Sequence, residues 1–487
     1  MWFRLAPGRR VFDAFALAAS DQRMNQGSHH HRARKLREAM RQALAEFLLV
    51  PIGIIVGFLL LAACTFVLDR SSAAWLTPMR TLLQAYVFAD AGATADLLGT
   101  IAAGLITITS ITVSLLLIAL QQSASALTHQ VYDQFLRNWQ NQAYFGFFVG
   151  LSLYALITLA SVGPLNPVFG GTIALVSTIL ALCLLLVLFY TTVNQMRPVV
   201  IIEAIRQHAL AARKVQLELL RRTRRSPNLV ASFSLPVQAE AHGFVTNIDV
   251  ESIKSAAAQA GAEVEVVVRV TIGSYVVFGQ LLAEVKAHAP ADAVGVAAVL
   301  EDAIHREEKR NIASDPLHGI EELETIGWTS ISTAQSDPDA GLLTIYSLRD
   351  VLARWSNPPD EAPGVEVAPI VYVDDVLPRL LNAFESLAVS ASESMQHQSY
   401  AEILRTFELL FDRLPPELQL RVEDVIRRML SALGDHVVTN ELEAALNGLI
   451  ATLEKAGRCQ TAGALSAAKD KLARSIGKLG ARSTRAG

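Results

Sequence analysis

Residues 105–122 read LITITSITVSLLLIALQQ. The run is apolar enough to lie in a bilayer, yet its first half carries Thr107, Thr109, Ser110, Thr112 and Ser114. Three neighbouring stretches share its apolar character. The runs 45–68, 97–120, 143–163 and 168–193 all reach the ~20 residues that a helix needs to cross a hydrocarbon core of ~30 Å. One such run can be a buried helix of a soluble protein. Four of them before residue 200 predict a four-helix transmembrane domain over 45–193. Composition agrees, because 52% of the 487 residues are hydrophobic and mean hydropathy is positive.

The hydroxyls have a pattern. At ~100° per residue, Thr100, Gly104, Thr107, Ser110 and Ser114 fall within about a third of the circumference of the second span. A stripe facing lipid gains nothing from these groups, so it is expected to face protein or water. Two readings follow. The hydroxyls bond carbonyls of their own helix or of a neighbour, at ~0.6 kcal/mol each. Alternatively, the stripe lines a pathway at the axis of an oligomer. The second, third and fourth spans hold no Asp, Glu, Lys or Arg, and Glu46 lies too near the mouth of the first to act as an intramembrane relay. A proton-coupled carrier is therefore disfavoured. Gly53 and Gly57 in GIIVG, and Gly146 and Gly150 in GFFVG, place glycines four apart, a spacing that lets helix backbones approach closely. These pairs serve packing within one chain or contact between subunits, and with them we expect a symmetric homo-oligomer.

Orientation follows from the basic flanks. Residues 1–44 carry nine Lys/Arg, whereas the segment between the first two spans carries Arg70 and Arg80 against Asp69, Asp90 and Asp96. The third connection, PLNP at 164–167, is uncharged. After the fourth span come Arg197, Arg206, Arg213, Lys214, Arg221, Arg222, Arg224 and Arg225. An even number of spans with basic flanks on one side puts both termini in the cytoplasm of a multi-pass inner-membrane protein. These flanks are expected to lie beside anionic lipid headgroups, at ~1 kcal/mol per cation close to the surface. The N-terminal MWFRLAPGRRVFDAFALAAS makes a poor signal peptide, since Asp13 interrupts its apolar patch. His29–His31 read as part of a solvated basic arm.

The rest divides by pattern. A basic arm (1–44) precedes the spans and a basic connecting helix (194–228) follows them. A β-rich module (229–290) comes next. There EVEVVVRVTIG alternates as a half-buried strand does, and Gly243, Gly273 and Gly279 mark turns. Its arrangement resembles a lipoyl-type barrel-sandwich. Lys254 and Lys286 fall on a helix and a strand rather than at a hairpin tip, so it is read as a structural module and not a carrier. A helical segment (291–355), a Pro-rich linker (356–372), a helical C-terminal region (373–468) and a basic tail (469–487) complete the chain. The fold class is thus membrane α-helical with an α+β cytoplasmic region.

Chemistry is sparse. Asp315, His318, Glu321 and Glu322 are close enough in sequence to hold a metal, but Pro316 and Gly319 beside them read as helix-start chemistry. The three cysteines, Cys64, Cys183 and Cys459, form no CxxC pair. There is no phosphate-binding loop, dinucleotide loop or nucleophile elbow, and a net charge of −4 does not point to nucleic acid. We expect no enzyme, no cofactor, no bound metal and no nucleic-acid partner.

The segment LQQSASALTHQVYDQFLRNWQNQAYFGFFVG resembles a bacterial family of predicted membrane proteins known as domain of unknown function 2254. The likeness rests on Leu120, Gln121, Ser123, Ser125, Phe135, Asn141, Gln142, Gly146 and Gly150. A second block carries Gly243, Asp249, Gly273, Val276, Gly279 and Leu281. A third carries Arg310, Asp315 and Pro316, then Ser336 to Gly341, where the family's Asn and Thr are missing. The resemblance spans roughly 45–430 and implies a four-span bacterial membrane protein with a cytoplasmic domain. It implies no catalytic residues. The functional expectation is an oligomeric channel or permeation protein regulated by its cytoplasmic domain. The alternative is a membrane-anchored scaffold or envelope-stress sensor without transport.

Overall fold

The computed structural model describes residues 48–474 apart from 72–73, 87, 89, 127–138, 164–165, 196, 261–262, 312, 333–336, 357–366 and 434–436. The basic arm 1–44, Phe135, most of the Pro-rich linker and the end of the basic tail lie outside the described residues. The chain divides into two compact units, one ending at Asn194 and one continuing from Gln195.

In the first unit, α1 (Leu49–Arg70), α3 (Ala91–Ala126), α4 (Trp139–Ala160) and α5 (Val168–Gln195) are long and apolar enough to cross a membrane, and a shorter α2 (Thr77–Tyr86) lies between α1 and α3. The four long helices correspond to the four expected runs. The main difference is α3. It starts six residues before the expected run and continues for 36 residues, about 54 Å at 1.5 Å per residue. Asp90 starts it, with its side chain accepting from the Ala93 N–H at 2.7 Å. That cap starts the helix ahead of the apolar run, so AGATAD at 91–96 is helical as well. The core between the helices is built from Leu98, Leu105, Phe148, Leu151, Tyr154 and Ala174.

The second unit begins with α6 (Pro198–Arg222), whose Pro198 takes a first-turn position where its missing N–H is no loss. Then follow β1 (Phe233–Gln238), β2 (Gly243–Ile248), α7 (Val250–Gln259), β3 (Glu265–Val268), β4 (Tyr275–Val276), β5 (Leu281–Ala287), α8 (Pro290–Ala303) and β6 (Ile304–Glu307). The second half of the unit comprises α9 (Pro316–Ile331), α10 (Pro338–Trp355), β7 (Ile370–Val371), α11 (Val376–Glu393), α12 (His397–Leu410), α13 (Pro416–Leu433), α14 (Asn440–Lys455) and α15 (Cys459–Arg474).

The strands form two sheets, ordered β1-β5-β3-β7 and β4-β2-β6. One apolar core joins them, with Val245, Ile253, Val266, Val285, Leu300 and Ile304 all buried. β1 and β3 flank β5 antiparallel, pairing Leu235 and Val266 with Val285, while β7 runs parallel to β3. Two of the seven strands among the described residues, β6 and β7, come from beyond residue 290, where the pattern pointed to helices and a linker. Both are too short for alternation to reveal them.

From α9 onward the helices stack in two layers. α9 packs on α10 and α11, α10 on α12, α11 on α13, α12 on α14 and α13 on α15. α6 packs against both α9 and α10, so the helix that follows the last span is built into one end of the stack. Asp249, Asp315, Asp337 and Thr439 start helices by accepting backbone N–H bonds.

Candidate functional site

The two glycine pairs behave differently. A Cβ on Gly146 would come within 2.7 Å of the Pro51 Cα, and one on Gly150 within 2.6 Å of the Phe58 ring. These glycines therefore let α4 lie directly on α1. Gly53 and Gly57 have nothing within 4 Å. They sit on a face of α1 that no other part of the described unit covers.

The hydroxyl stripe of α3 is also outward. Leu98, Ile101, Ala102 and Leu105 turn into the core. Thr100, Gly104, Thr107, Ser110 and Ser114 are all exposed, and their mean direction is roughly 170° from that buried row at about 100° per residue. Three of the four stripe hydroxyls bond their own helix: Thr100 donates to Asp96 O at 2.8 Å, Thr107 to Ala103 O at 2.9 Å and Ser114 to Ser110 O at 3.0 Å. The protons of these three are satisfied, which lowers the penalty of an apolar setting, and each oxygen keeps acceptor capacity for a water or a partner. Gly104 faces open space.

One polar cluster ties the helix ends together. Asp69, in the last turn of α1, is buried and accepts from Phe169 N–H and Gly170 N–H, both at 2.9 Å. It caps α5 from another helix and sets a carboxylate against the positive end of its dipole. Tyr154 of α4 donates to the Gly170 carbonyl at 3.1 Å. Thr94 of α3 donates to Asn166 at 2.7 Å, and Asn166 donates to Phe88 O at 3.2 Å. Arg80 binds the carbonyl of Asp69 at 2.9 Å. A cleft of about 200 Å³ opens beside Asp69, Thr65, Thr158 and Ser161. Sequence reasoning missed this cluster. Asp69 and Gly170 are 101 residues apart, and the one local signal was an aspartate at the end of an apolar run.

In the second unit Asp315 accepts from the His318 N–H at 3.2 Å and from Arg310 Nε at 2.7 Å. Gly273, at φ 87°, leaves room for it, since a Cβ there would fall 2.2 Å from the Asp315 carboxylate. Arg310 also pairs with Glu321. Burial, aided by the Arg310 charge, pushes His318 down to about 4, so it is neutral at pH 7. Among the described residues no group of His, Cys, Asp and Glu is arranged to hold a metal ion. The local geometry joins a helix cap to an ion pair.

Most of the cations in and just after α6 are paired within the second unit. Arg213 grips Asp374 with two bonds of 2.9 and 2.6 Å. Arg221 pairs with Glu218, Arg222 with Glu251 and Arg224 with the buried Glu265. Arg206 pairs with Glu203 and Asp350. Arg197, Lys214 and Arg225 have no ion pair among the described residues.

A family model described as "Predicted membrane protein (DUF2254)" matches residues 45–380. No curated protein and no solved structure matches the chain.

Proposed function

Since the chain belongs to the DUF2254 family of predicted membrane proteins, we propose that it is a multi-pass protein of the bacterial inner membrane, with both termini cytoplasmic. In this reading copies associate through the outward faces of α1 and α3 into a homo-oligomer, with a permeation path along α3. The second unit, on the cytoplasmic side, regulates it. One observation carries the proposal: the polar stripe of α3 points away from its own helix bundle, where a lipid contact would gain nothing from it. The outward Gly53–Gly57 face supports association, because small residues let helices of two copies approach closely. Arg197, Lys214 and Arg225 remain for anionic headgroups. The β module acts as a structural element of the barrel-sandwich kind, and the reading assigns the chain no catalytic chemistry, no cofactor and no nucleic-acid partner.

Regulation has a physical route. α6 follows α5 after two residues and is held by α9, α10, Asp374 and Glu251. In this reading α6 is the element through which the second unit acts on the last span. Purified protein in planar bilayers tests the pathway. Conductance that changes with Thr107→Val supports it, and silence under voltage and tension contradicts it. Topology is tested separately by labelling Ser72→Cys and Ser483→Cys in intact cells. Reaction of position 483 with a membrane-impermeant reagent would overturn the orientation.

The two-layer stack α9–α15 favours a second reading, a membrane-anchored scaffold or stress sensor without a pathway. Stacked helices of this kind present extended surfaces to partner proteins, and Trp328 stands 50% exposed on α9.

A further inference from the structure

The start of α6 and one face of α10 line a solvent-open cavity of about 340 Å³, near the lower end of the roughly 300–1,000 Å³ range of small-molecule sites. Val199, Ile202, Leu343 and Tyr346 supply its apolar wall. The remaining lining is Ser347 and a chain of four alternating charges. Glu203 receives Arg206 at 2.6 Å, Arg206 also binds Asp350, and Asp350 receives Arg354 Nε at 2.8 Å. Arg206 spends Nε and both terminal nitrogens on this chain. Arg354 spends only Nε, and its terminal nitrogens have no partner among the described residues.

The charges sum to zero, with two cations against two carboxylates. An ion of either sign finds no net attraction there, whereas a dipolar ligand finds both signs in line. The cavity's place in the chain narrows the ligand further. Val199 is four residues beyond Gln195, the end of α5, so chain geometry holds it within about 14 Å of that helix end. A bilayer's polar layer adds roughly 5–8 Å beyond each face of the hydrocarbon. An apolar wall at this point suits the stem of a molecule anchored in the bilayer.

We infer that the cavity between α6 and α10 binds the headgroup of a zwitterionic phospholipid such as phosphatidylethanolamine. The ammonium group donates to the carboxylates of Glu203 and Asp350. The phosphate accepts from the terminal nitrogens of Arg354. The glycerol end of the acyl chains lies against Val199, Ile202 and Leu343. The inference rests on the membrane reading and not on the pathway, and it gives the second unit a contact that reports on lipid composition.

The test uses the full chain, delipidated in mild detergent, titrated with phosphatidylethanolamine or phosphatidylglycerol and read by native mass spectrometry. The expected result is at least fivefold tighter retention of phosphatidylethanolamine. That preference should disappear in Arg354→Gln and in the cavity-filling Leu343→Trp, each checked for an unchanged melting transition. If either variant fails to fold, Tyr346→Ala, which enlarges the cavity, should lower retention instead. Equal retention of the two lipids, or full retention by a folded Leu343→Trp, would overturn the inference. Equally tight binding of soluble phosphoethanolamine would overturn the lipid assignment. Silence in planar bilayers together with selective lipid retention would end the pathway reading and leave this one standing.

Discussion

The carboxylate of Asp69 holds the N–H of Gly170 at 2.9 Å across 101 residues of chain, so the end of α1 and the start of α5 are fixed to each other. A buried N–H left without its acceptor costs about 1–3 kcal/mol. Asp69→Leu orphans both Phe169 and Gly170 and should lower the melting temperature of the detergent-solubilised protein. Asp69→Asn keeps one acceptor oxygen and should fall between Asp69→Leu and wild type. A melting curve unchanged in Asp69→Leu would show that the cap contributes nothing.

The two glycine pairs should separate folding from association. Gly146→Leu drives a side chain into the Pro51 backbone, and overpacking of this kind costs about 1–3 kcal/mol or more. It should lower thermal stability. Gly53→Leu enters open space and should leave stability unchanged while weakening the homo-oligomer. Native mass spectrometry over a concentration range, with melting curves on the same samples, distinguishes the two. Equal effects from both substitutions would contradict this division.

Gly273 and Asp315 should be coupled. Gly273→Ala meets both a positive φ and the Asp315 carboxylate, and left-handed backbone alone costs an alanine roughly 1–2 kcal/mol. In an Asp315→Ala background the collision disappears while the backbone penalty stays. A double-mutant cycle on unfolding should therefore give a coupling of about 1 kcal/mol or more. Strict additivity would show that the carboxylate moves aside freely.

His318 makes the second unit sensitive to acid. Its folded pKa is about 4, below the ordinary ~6.5 of the unfolded chain. Above pH 6.5 both states are neutral and the group has no effect on stability. As pH falls from about 6.5 to 4, the unfolded chain takes up the proton first, and stability drops by up to about 3 kcal/mol at about 1.4 per unit. His318→Gln should flatten this part of the pH–stability curve, measured by thermal or urea unfolding. An unchanged slope would place the titration elsewhere.

Much of the span unit was legible because the bilayer imposes a length and a polarity that few other settings demand. The Asp315-Pro316 helix start was legible for a similar reason, since cap and first-turn chemistry is local. The helical character of residues 198–222 was visible too, but the destination of its charge was not. Arg213 and Arg224 meet Asp374 and Glu265 from distant segments, and a cation spent on a buried carboxylate looks the same in sequence as one facing solvent. β7 has two residues and is a strand only because β3 accepts it. The α3 stripe was visible by angle. That it turns away from its own bundle depends on which face Leu98 and Leu105 bury, which the sequence of α3 alone does not decide.

The central claim is that the α3 stripe meets water in the assembled protein, and a cysteine-reactivity scan in membranes tests it most directly. Cys64, Cys183 and Cys459 are exposed and are replaced first. Single cysteines are then placed at 100, 104, 107, 110 and 114, with 105 as the core control and 106 and 113 as aliphatic-flank controls. The account predicts that a small polar thiol reagent modifies the five stripe positions and spares 105, 106 and 113. Uniform protection of all eight positions would contradict it and leave the hydroxyls as groups that serve only their own helix.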